Sequence, residues 1–413
     1  MAKIIIVGGS LGGLFAANIL LRQGHDVTLL EKAMGSLDGR GAGIVTHAAL
    51  SDALRQAGVV VDNTLGVAVT QRVTLGSDGQ SLGMMELPQI LTSWSRLYHM
   101  LKEAFPVERY LQGKAVKTVS QTADAVQVIC EDGSHYEAAL LIASDGIRSG
   151  VRGQVAPQIQ PEYAGYIAWR GVCDEACLSN YTLDTLFNRF GFCLPKGEQM
   201  LGYPVAGSGN DTRPGKRRYN FVWYRPASEN EELVSLLTDD DGQYYPIGIP
   251  PLKVSWKHIA KMRQKAKEIL APQYAEILEK TAAPFLQAIY DVRSEEIVFG
   301  RIALMGDAAF VGRPHVGMGV TKAGDEAIVI AKYIAELGAT PAALKAYRDE
   351  RLKLGQQVVA RAQYLGRYMQ AQGSKGISNS ENLKRNADTV MAETAIDISD
   401  LLVQGKAVPE STH

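Results

Sequence analysis

The sequence predicts an α/β fold that combines a Rossmann-like domain, an inserted β-sheet domain and C-terminal helices. Three observations support this fold class. An apolar strand, a glycine-rich turn and a helical pattern open the chain within residues 1–31. An aromatic region with alternating apolar positions, residues 161–225, is typical of strands in a second layer. A helical apolar pattern then runs from Thr321 to about Gln372.

Residues 1–31 have the order of a dinucleotide-binding βαβ unit: strand, glycine turn, helix, strand and acid. Gly8 allows the tight turn, and Gly13 lets the helix pack closely on the strand. The amides that open the helix would face a pyrophosphate, where the helix dipole favours negative charge. Ser10 stands where the fingerprint usually has its middle glycine. The predicted cofactor contacts of this unit are Gly8, Ser10, Leu11, Gly13, Glu31 and Lys32. The alternative is a glycine-rich turn in an ordinary α/β protein.

Composition narrows the class of protein. A chain of 413 residues is too long for one compact core, so two or more domains are expected. The net charge of −1 argues against a nucleic-acid partner, and no apolar run reaches the length of a membrane span. Four cysteines do not make a disulfide framework, which favours a cytoplasmic location. Cys173, Cys177 and Cys193 lack a histidine cluster, so no metal site is expected.

Helical and strand patterns alternate along the chain and define its domains. Helical patterns lie at 46–57, 93–104 and 226–283, with a further one at 381–393. Strand patterns lie at 67–90, Ala115–Ser120, Ala125–Cys130, Ala138–Ala143 and Ile302–Met305. This order predicts a discontinuous nucleotide-binding domain of residues 1–68, 93–160 and 290–370. It predicts a substrate-binding domain of residues 69–92 and 161–289, and a tail of residues 371–413.

Two more glycine–acid elements follow predicted strands. Residues 143–152 read Ala-Ser-Asp-Gly-Ile-Arg-Ser-Gly-Val-Arg. Residues 304–309 read Leu-Met-Gly-Asp-Ala-Ala, and Pro314 and Gly317-Met318-Gly319 come after them. With the N-terminal unit, and in this order, they resemble the FAD-binding motifs of the class A flavoprotein aromatic hydroxylases. The resemblance covers residues 1–370 and implies that the nucleotide-binding domain holds FAD.

The resemblance also implies roles for single residues. Glu31 would hold the adenosine ribose, Arg96 the phosphate or ribose region, and Asp307 the ribitol hydroxyls. Asp145 would lie where the nicotinamide nucleotide approaches the FAD phosphates. The cofactor contacts implied beyond the first turn are Arg40, Arg96, Asp145, Asp307, Pro314, Gly317, Met318 and Gly319. Alternatives stay open: Asp307 as a helix N-cap, Arg96 as a surface residue, and Arg148 and Arg152 as ion-pair partners that hold the fold.

The chain departs from the family pattern at four positions near the third element. Phe310 replaces a common histidine, and Met318 replaces a frequent glutamine. Thr321 replaces a frequent asparagine, and Glu326 a frequent aspartate. Backbone groups make much of the FAD contact, so these changes concern the substrate side more than the cofactor.

The implied activity is hydroxylation of a small electron-rich aromatic or heteroaromatic ring with FAD, O₂ and NADH or NADPH. In the family, reduced flavin reacts with O₂ to a C4a-hydroperoxide that attacks the ring. Residues 306–315, Tyr163–Tyr166 and Trp169–Gly171 resemble the branch that acts on hydroxypyridines. A flavin oxidase or dehydrogenase without hydroxylation, and a non-catalytic nucleotide-binding protein, are the alternatives. The C-terminal helices 323–372 would form a homodimer contact or pack on the FAD domain.

Hydroxylation needs a base within reach of the substrate hydroxyl, because loss of that proton makes the ring more electron-rich. The candidates are His315, beside Pro314, and His47, just beyond Gly41–Ile44. Tyr203 and Tyr224 are predicted to line the aromatic pocket, and Tyr203 and His315 to act on the substrate directly. The alternatives are a histidine that shapes the flavin loop and tyrosines that fill the core.

Overall fold

The structure is a computed structural model and describes residues 1–35, 37, 43–369 and 386–396. The predicted α/β class is confirmed. A six-stranded sheet and a ten-stranded sheet form within this part of the chain, together with a small three-stranded sheet. No helix among the described residues is both long enough and apolar enough to cross a membrane.

The six-stranded sheet is the Rossmann sheet. Its strands are β1 (Lys3–Val7), β2 (Asp26–Leu30), β6 (Tyr110–Leu111), β10 (Leu140–Ala143), β17 (Val298–Phe299) and β18 (Ile302–Leu304). They lie in the order β17-β18-β10-β1-β2-β6, and all neighbours are parallel except β17 and β18. Since parallel strands end at the same edge, β1, β10 and β18 bring the three glycine–acid elements together.

The ten-stranded sheet is mixed and mostly antiparallel. Its strands are β3 (Gly43–Val45), β4 (Val67–Leu75), β5 (Ser81–Ser93), β11 (Glu162–Asp174), β12 (Arg189–Cys193), β13 (Gln199–Val205), β14 (Arg218–Pro226), β15 (Gly248–Ile249), β16 (Phe285–Arg293) and β19 (Phe310–Val311). The order is β15-β16-β11-β14-β13-β12-β4-β5-β3, with β19 paired to β16. The small sheet holds β7 (Val116–Gln121), β8 (Val126–Cys130) and β9 (His135–Ala138).

Helices cover both large sheets. Those in the described residues are α1 (Leu11–Arg22), α2 (Ala48–Gln56), α3 (Trp94–Glu103), α4 (Gly150–Val155), α5 (Asn180–Leu186), α6 (Glu231–Leu236), α7 (Trp256–Ile269), α8 (Pro272–Lys280), α9 (Gly319–Leu337), α10 (Pro341–Gly366) and α11 (Ala387–Glu393). Helix α9 packs against α1, α2 and α10. The apolar side of these C-terminal helices is therefore covered within the chain, so it does not itself favour a homodimer contact.

The two faces of the ten-stranded sheet serve different purposes. Side chains alternate along a strand, so the neighbours Trp223 and Tyr224 of β14 point to opposite faces. Trp169 and Trp223 pack in a core that includes buried residues of α7 and α8. Tyr203 and Tyr224 belong to a separate cluster on the other face. We call this second side the aromatic face.

Two sequence expectations need correction. Residues 161–225 are not strands throughout, because α5 interrupts them, with the Ser179 hydroxyl accepting a hydrogen bond from Thr182 N. The pattern from Thr321 onward is two helices, which separate at Gly338, where φ is +73°. Capping residues set the start of α5 and the boundary between α9 and α10, and an apolar pattern does not predict such helix ends. The expected helix at 381–393 is present as α11, with residues 381–385 outside the described part. The domain boundaries stay a prediction.

Candidate active site

The glycine turn after β1 is held by close backbone contacts. Gly8 has a φ of +105°, and a Cβ there would lie 2.3 Å from the carbonyl oxygen of Ser144. A Cβ at Gly13 would lie 1.9 Å from the carbonyl oxygen of Gly8. Glycine at these positions therefore lets β1, β10 and α1 meet at one point, as the sequence pattern predicts.

Glu31 closes the same turn from the end of β2. Its side chain is buried, Oε2 accepts a hydrogen bond from Gly9 N (2.7 Å), and Oε1 accepts one from Ala33 N (2.8 Å). A carboxylate has lone pairs beyond these two bonds, so Glu31 can also accept from a ribose hydroxyl.

The remaining predicted contacts of this unit differ in their surroundings. Ser10 is the N-cap residue of α1, but its hydroxyl makes no capping hydrogen bond there. Leu11 is buried in the core, and Lys32 is exposed. Arg40 lies outside the described residues. The Ser10 side chain at the head of α1 is therefore not committed to capping the helix.

The second element places a carboxylate and an arginine at the end of β10. Asp145 Oδ2 accepts a hydrogen bond from Val151 N in α4 (3.3 Å), and burial raises the pKa of this carboxyl. Arg152 is buried and donates to three carbonyl oxygens, those of Ile159, Ala308 and Ile147. Arg152 thus holds the fold, but through backbone carbonyls rather than the ion pair considered from sequence. Its bond to Ala308 joins the second element to the third.

A buried ion pair holds the third element. Lys322 and Glu326 stand one turn apart on α9, their side chains are 2% and 1% exposed, and Lys322 Nζ lies 3.2 Å from Glu326 Oε1. Gly306 N donates to Glu326 Oε2 (2.6 Å), and the Gly306 carbonyl oxygen accepts from Lys322 Nζ (3.0 Å). The pair therefore fixes both polar groups of the residue that precedes Asp307.

Asp307 is an accessible residue between buried neighbours. The residue is exposed to solvent, whereas Gly306 and Ala308 on either side are buried. Dense surrounding protein nevertheless raises the pKa of its carboxyl by desolvation, an effect that Lys322 opposes. A carboxylate that is both accessible and closely surrounded is suited to a ligand in a cleft. The short 3₁₀ helix Gly306–Ala308 has Met305, not Asp307, as its N-cap residue, so the N-cap alternative does not hold.

The loop after the third element leads into α9. Pro314–Val316 form a 3₁₀ turn that ends at Gly317, whose φ is +65°. Met318 is the N-cap residue of α9, and Gly319 is its first residue. The N-terminus of this 19-residue helix thus follows the loop at once, and its dipole favours negative charge there.

The residues present fit FAD. The glycines of the first turn let the strand, the helix head and Ser144 approach closely, which leaves the backbone amides at the head of α1 as the groups that would face a pyrophosphate. Arg96, in the first turn of α3, donates to Thr64 Oγ1 (3.0 Å), but its Nε is buried without a hydrogen-bond partner among the described residues. Asp145 Oδ1 is also buried and has no hydrogen-bond donor among the described residues. A bound polar group would satisfy such atoms, which otherwise carry a desolvation penalty.

The aromatic face carries hydrogen-bond donors among its rings. Asn220 Oδ1 accepts from Gly43 N (3.0 Å), which leaves the buried Asn220 Nδ2 without a partner in the described residues. Arg170 Nη1 donates to Gln287 Oε1 (2.7 Å). The buried Arg170 Nε has no hydrogen-bond acceptor among the residues that the structure describes. The positive charge of Arg170 opposes the increase that burial causes in the pKa of Tyr203 and Tyr224.

His315 is fully buried on the same side. Its Nε2 lies 2.9 Å from the hydroxyl oxygen of Tyr166, and its ring centroid lies 4.2 Å from that of Tyr224. Its carbonyl oxygen accepts a hydrogen bond from Ala395 N (2.8 Å). These contacts fix the position of the His315 ring and backbone, and its role as a base or in shaping the loop stays a prediction.

His47 joins two elements around the N-terminus of α9. It precedes α2 as its N-cap residue, and its Nδ1 lies 3.0 Å from Thr321 Oγ1 in the first turn of α9. Thr321, which stands where the family often has asparagine, thus makes a polar contact with His47. A role for His47 as the base stays a prediction.

Sequence reasoning gave no structural role to several residues of the site. Lys322 and Glu326 have the i, i+4 spacing of a helix pair, a signal that could have identified them. Tyr166 and Arg170 are four residues apart on β11. Since side chains alternate between the two faces of a strand, the sequence could have predicted that they share one face. Asn220 gave no signal, because its contact with Gly43 joins positions 177 residues apart.

Comparisons with known proteins find FAD-dependent hydroxylases. A family model described as FAD binding domain-like matches residues 163–291. The 2,6-dihydroxypyridine 3-monooxygenase of Paenarthrobacter nicotinovorans is 29% identical over 372 residues, which cover 90% of this chain and 92% of that protein. The FAD-dependent urate hydroxylase of Klebsiella pneumoniae is 26% identical over 378 residues, which cover 87% and 88%.

A solved structure extends this likeness to the fold. The structure of 2,6-dihydroxypyridine-3-hydroxylase from Arthrobacter nicotinovorans matches with a TM-score of 0.84 and 28% identity, and covers 92% of this chain and 95% of that one. The similarity thus extends over nearly the whole length of both chains, including the edge where the three elements meet. Its motifs, its fold and these relatives together show that the chain resembles the class A FAD-dependent aromatic hydroxylases, enzymes that use FAD and NAD(P)H.

Proposed function

We propose that this protein hydroxylates a small N-heteroaromatic ring that already carries hydroxyl groups, with a hydroxypyridine as the first candidate substrate. One oxygen atom of O₂ enters the ring as a hydroxyl group, the other leaves as water, and NAD(P)H supplies two electrons. FAD, when bound, accepts the hydride and activates O₂. The protein residues bind the ring, exclude water and control the proton of its hydroxyl.

The proposal rests on two hydrogen-bond donors of the aromatic face that have no acceptor among the described residues. Asn220 Nδ2 and Arg170 Nε are N–H groups in surroundings rich in tyrosine. An aromatic ring with hydroxyl or oxo groups would stack on such a face and accept these hydrogen bonds. The positive charge of Arg170 would also stabilise the deprotonated, more electron-rich form of the ring. The relatives named for dihydroxypyridine and urate act on rings of this chemical type.

We propose that FAD is held along the edge where the three elements meet. Glu31 would accept from the adenosine ribose, Arg96 would donate to the phosphate region, and Asp307 would accept from the ribitol. The glycine turn and the head of α1 would receive the pyrophosphate. Pro314 and the backbone of residues 317–319 would border the isoalloxazine ring, where the N-terminus of α9 favours negative charge.

NAD(P)H would dock beside the second element. A cavity of about 350 Å³ there is lined by Arg148 and Arg152, with Gln160 and Tyr290 among its other walls. Arg152 is committed to backbone carbonyls, whereas Arg148 is exposed and thus available to a phosphate. We also propose a cytoplasmic location, which the lack of a disulfide framework favours, and leave a homodimer as a prediction.

Oxygen labelling tests the proposed function directly. The FAD-loaded protein is incubated with ¹⁸O₂, NADH or NADPH, and each of 2,6-dihydroxypyridine, uric acid and salicylate. We expect ¹⁸O in the hydroxylated ring product by mass spectrometry, with the greatest turnover on the hydroxypyridine. Oxidation of NAD(P)H that yields only peroxide with every ring would instead indicate an oxidase.

Replacement of His315 by alanine is expected to leave FAD bound but to reduce hydroxylation by about 100-fold, the size of a typical proton-transfer contribution. The proton relay through Tyr166 would be broken, and more reducing equivalents would leave as peroxide. The measurement combines flavin absorbance at about 450 nm with product and peroxide yields. Tyr166→Phe should reproduce the effect, because it removes the same hydrogen bond. Unchanged hydroxylation and coupling in both variants would remove this pair from the mechanism.

A further inference from the structure

The C-terminal strap, defined as residues 386–396, folds back onto the aromatic face. Its helix α11 begins with a capping box in which Asn386 Oδ1 accepts from Thr389 N (2.9 Å) and Thr389 Oγ1 accepts from Asn386 N (3.1 Å). Val390, Met391 and Ala395 are buried in the same cluster as Tyr203 and Tyr224. The strap thus adds apolar side chains to the face that would bind the ring.

A buried arginine holds the strap in place. Arg72 on β4 is completely inaccessible to solvent and donates to the carbonyl oxygens of Met391 (2.6 Å), Thr394 (2.6 Å) and Ala395 (3.3 Å). Gln89 Oε1 accepts from the same guanidinium at 2.7 and 3.0 Å. The last carbonyls of a helix have no partner within the helix, and a cation there is favourable.

The position of Arg72 has a cost that the docked strap offsets. Burial of a guanidinium is unfavourable unless its donors are satisfied, and burial lowers the pKa of Arg72 to about 9. Three of its five hydrogen bonds go to the strap. Detachment of the strap would leave those donors without these acceptors, so Arg72 favours the docked position.

The far end of the strap meets the flavin loop. Ala395 N donates to the His315 carbonyl oxygen (2.8 Å), and a Cβ at Gly317 would lie 2.6 Å from the Cβ of Ala395. An ion pair between Arg361 of α10 and Glu393 (3.4 Å) adds a second contact near this end. One short segment therefore touches the loop that leads to α9, the His315 backbone and the tyrosine cluster.

We propose that the C-terminal strap forms one wall of the substrate pocket and that Arg72 is the positioning residue that keeps this wall closed. The proposal rests on the function proposed above. The docked strap sets the affinity for the ring and excludes water during the reaction, while FAD binding depends on other residues. Loss of the Arg72 contacts opens the pocket without emptying the flavin site.

Arg72→Met tests this. Lost hydrogen bonds from a charged group predict that the KM for 2,6-dihydroxypyridine increases at least about tenfold. Coupling of NAD(P)H oxidation to hydroxylation should fall, and FAD affinity should stay within about twofold of wild type. Hydrogen–deuterium exchange should accelerate selectively at residues 387–396. Arg72→Lys keeps a cation and donors and should restore part of the affinity.

Arg189→Met is the matched control. Arg189 on β12 also donates to helix carbonyls, those of Asp184 (2.9 Å) and Thr185 (2.8 Å) in α5, and to Gln71 Oε1 (3.0 Å), so none of these bonds goes to the strap. KM and coupling should match wild type in this variant. Ala395→Pro is the second probe, because proline cannot donate to His315 or adopt the φ of +51° found at Ala395. It should raise KM as Arg72→Met does.

The outcomes separate the two proposals. If none of the three test rings changes the flavin spectrum of the wild-type protein, the proposed function is contradicted. If the wild-type protein binds a test ring, and Arg72→Met and Ala395→Pro both keep the wild-type KM and coupling, the proposed role of the strap is wrong. Parallel losses of thermal midpoint, FAD affinity and activity, without selective exchange at 387–396, would also overturn it, because they indicate a purely structural residue.

Discussion

Replacement of Lys322 by methionine should lower the free energy of unfolding by about 3–5 kcal/mol, the range found when one partner of a buried ion pair is removed. Lys322 and Glu326 are almost inaccessible, so the variant would leave the Glu326 carboxylate buried without its cation. It would also leave the Gly306 carbonyl without its donor. Urea unfolding of wild type and variant, followed by circular dichroism, measures the difference.

The control for this variant is on the same helix. Lys332→Met removes an exposed contact with Glu350 at 3.6 Å, and solvent screening makes such a contact weak, so little change is expected. The double variant Lys322→Met with Glu326→Gln should recover much of the loss, because the buried charge is gone and Gln can still accept from Gly306 N. Equal unfolding midpoints for Lys322→Met and wild type would show that the pair contributes nothing.

Asp307→Ala should weaken FAD binding by about 10- to 100-fold. Hydrogen bonds to a charged group contribute about 1.5–3 kcal/mol, and each 1.4 kcal/mol is a factor of about ten in affinity. Asp307 is accessible and is not committed as a helix N-cap, so its carboxylate is available to ribitol hydroxyls. Titration of the apoprotein with FAD, followed by flavin fluorescence, measures the affinity. Asp240→Ala, at an exposed site in a different part of the fold, should retain wild-type affinity.

The same carboxylate should make FAD affinity depend on pH. Desolvation raises the pKa of Asp307, so its proton is taken up at a higher pH than for an ordinary aspartate. Protonation removes an acceptor, so the FAD dissociation constant should rise as pH falls through that raised pKa. Asp307→Asn should lose this part of the pH dependence. A variant that is fully loaded at low FAD concentration, or a wild type with flat pH dependence, would remove Asp307 from the FAD site.

Much of the cofactor side could be predicted from local sequence. Each element there follows from a short run: an apolar strand, a glycine that permits a positive φ, and an acid at a fixed distance. Gly8, Gly13 and Glu31 make the backbone contacts that this order requires. The structure then brings the three elements together, because the parallel strands β1, β10 and β18 share one edge.

The substrate side could not be predicted in the same way. Arg170 and Asn220 meet the tyrosines only because antiparallel neighbours bring distant strands into register. The sequence marks His315 as a candidate base but gives no sign of its contacts with Tyr166 and Tyr224, which only the fold brings together. The role of Arg72 was hidden because its partners lie more than 300 positions away, at the other end of the chain.

Short segments of the sequence predict the fold class and the FAD motifs, and the resemblance that these motifs carry implies the type of reaction. The folded chain is needed to see which donors lie on the aromatic face, which ion pair fixes Gly306, and where the C-terminal strap docks. The physical reason is the range of the interactions. Turn geometry and helix periodicity are local, whereas burial and hydrogen-bond satisfaction depend on contacts between segments that only the folded chain brings together.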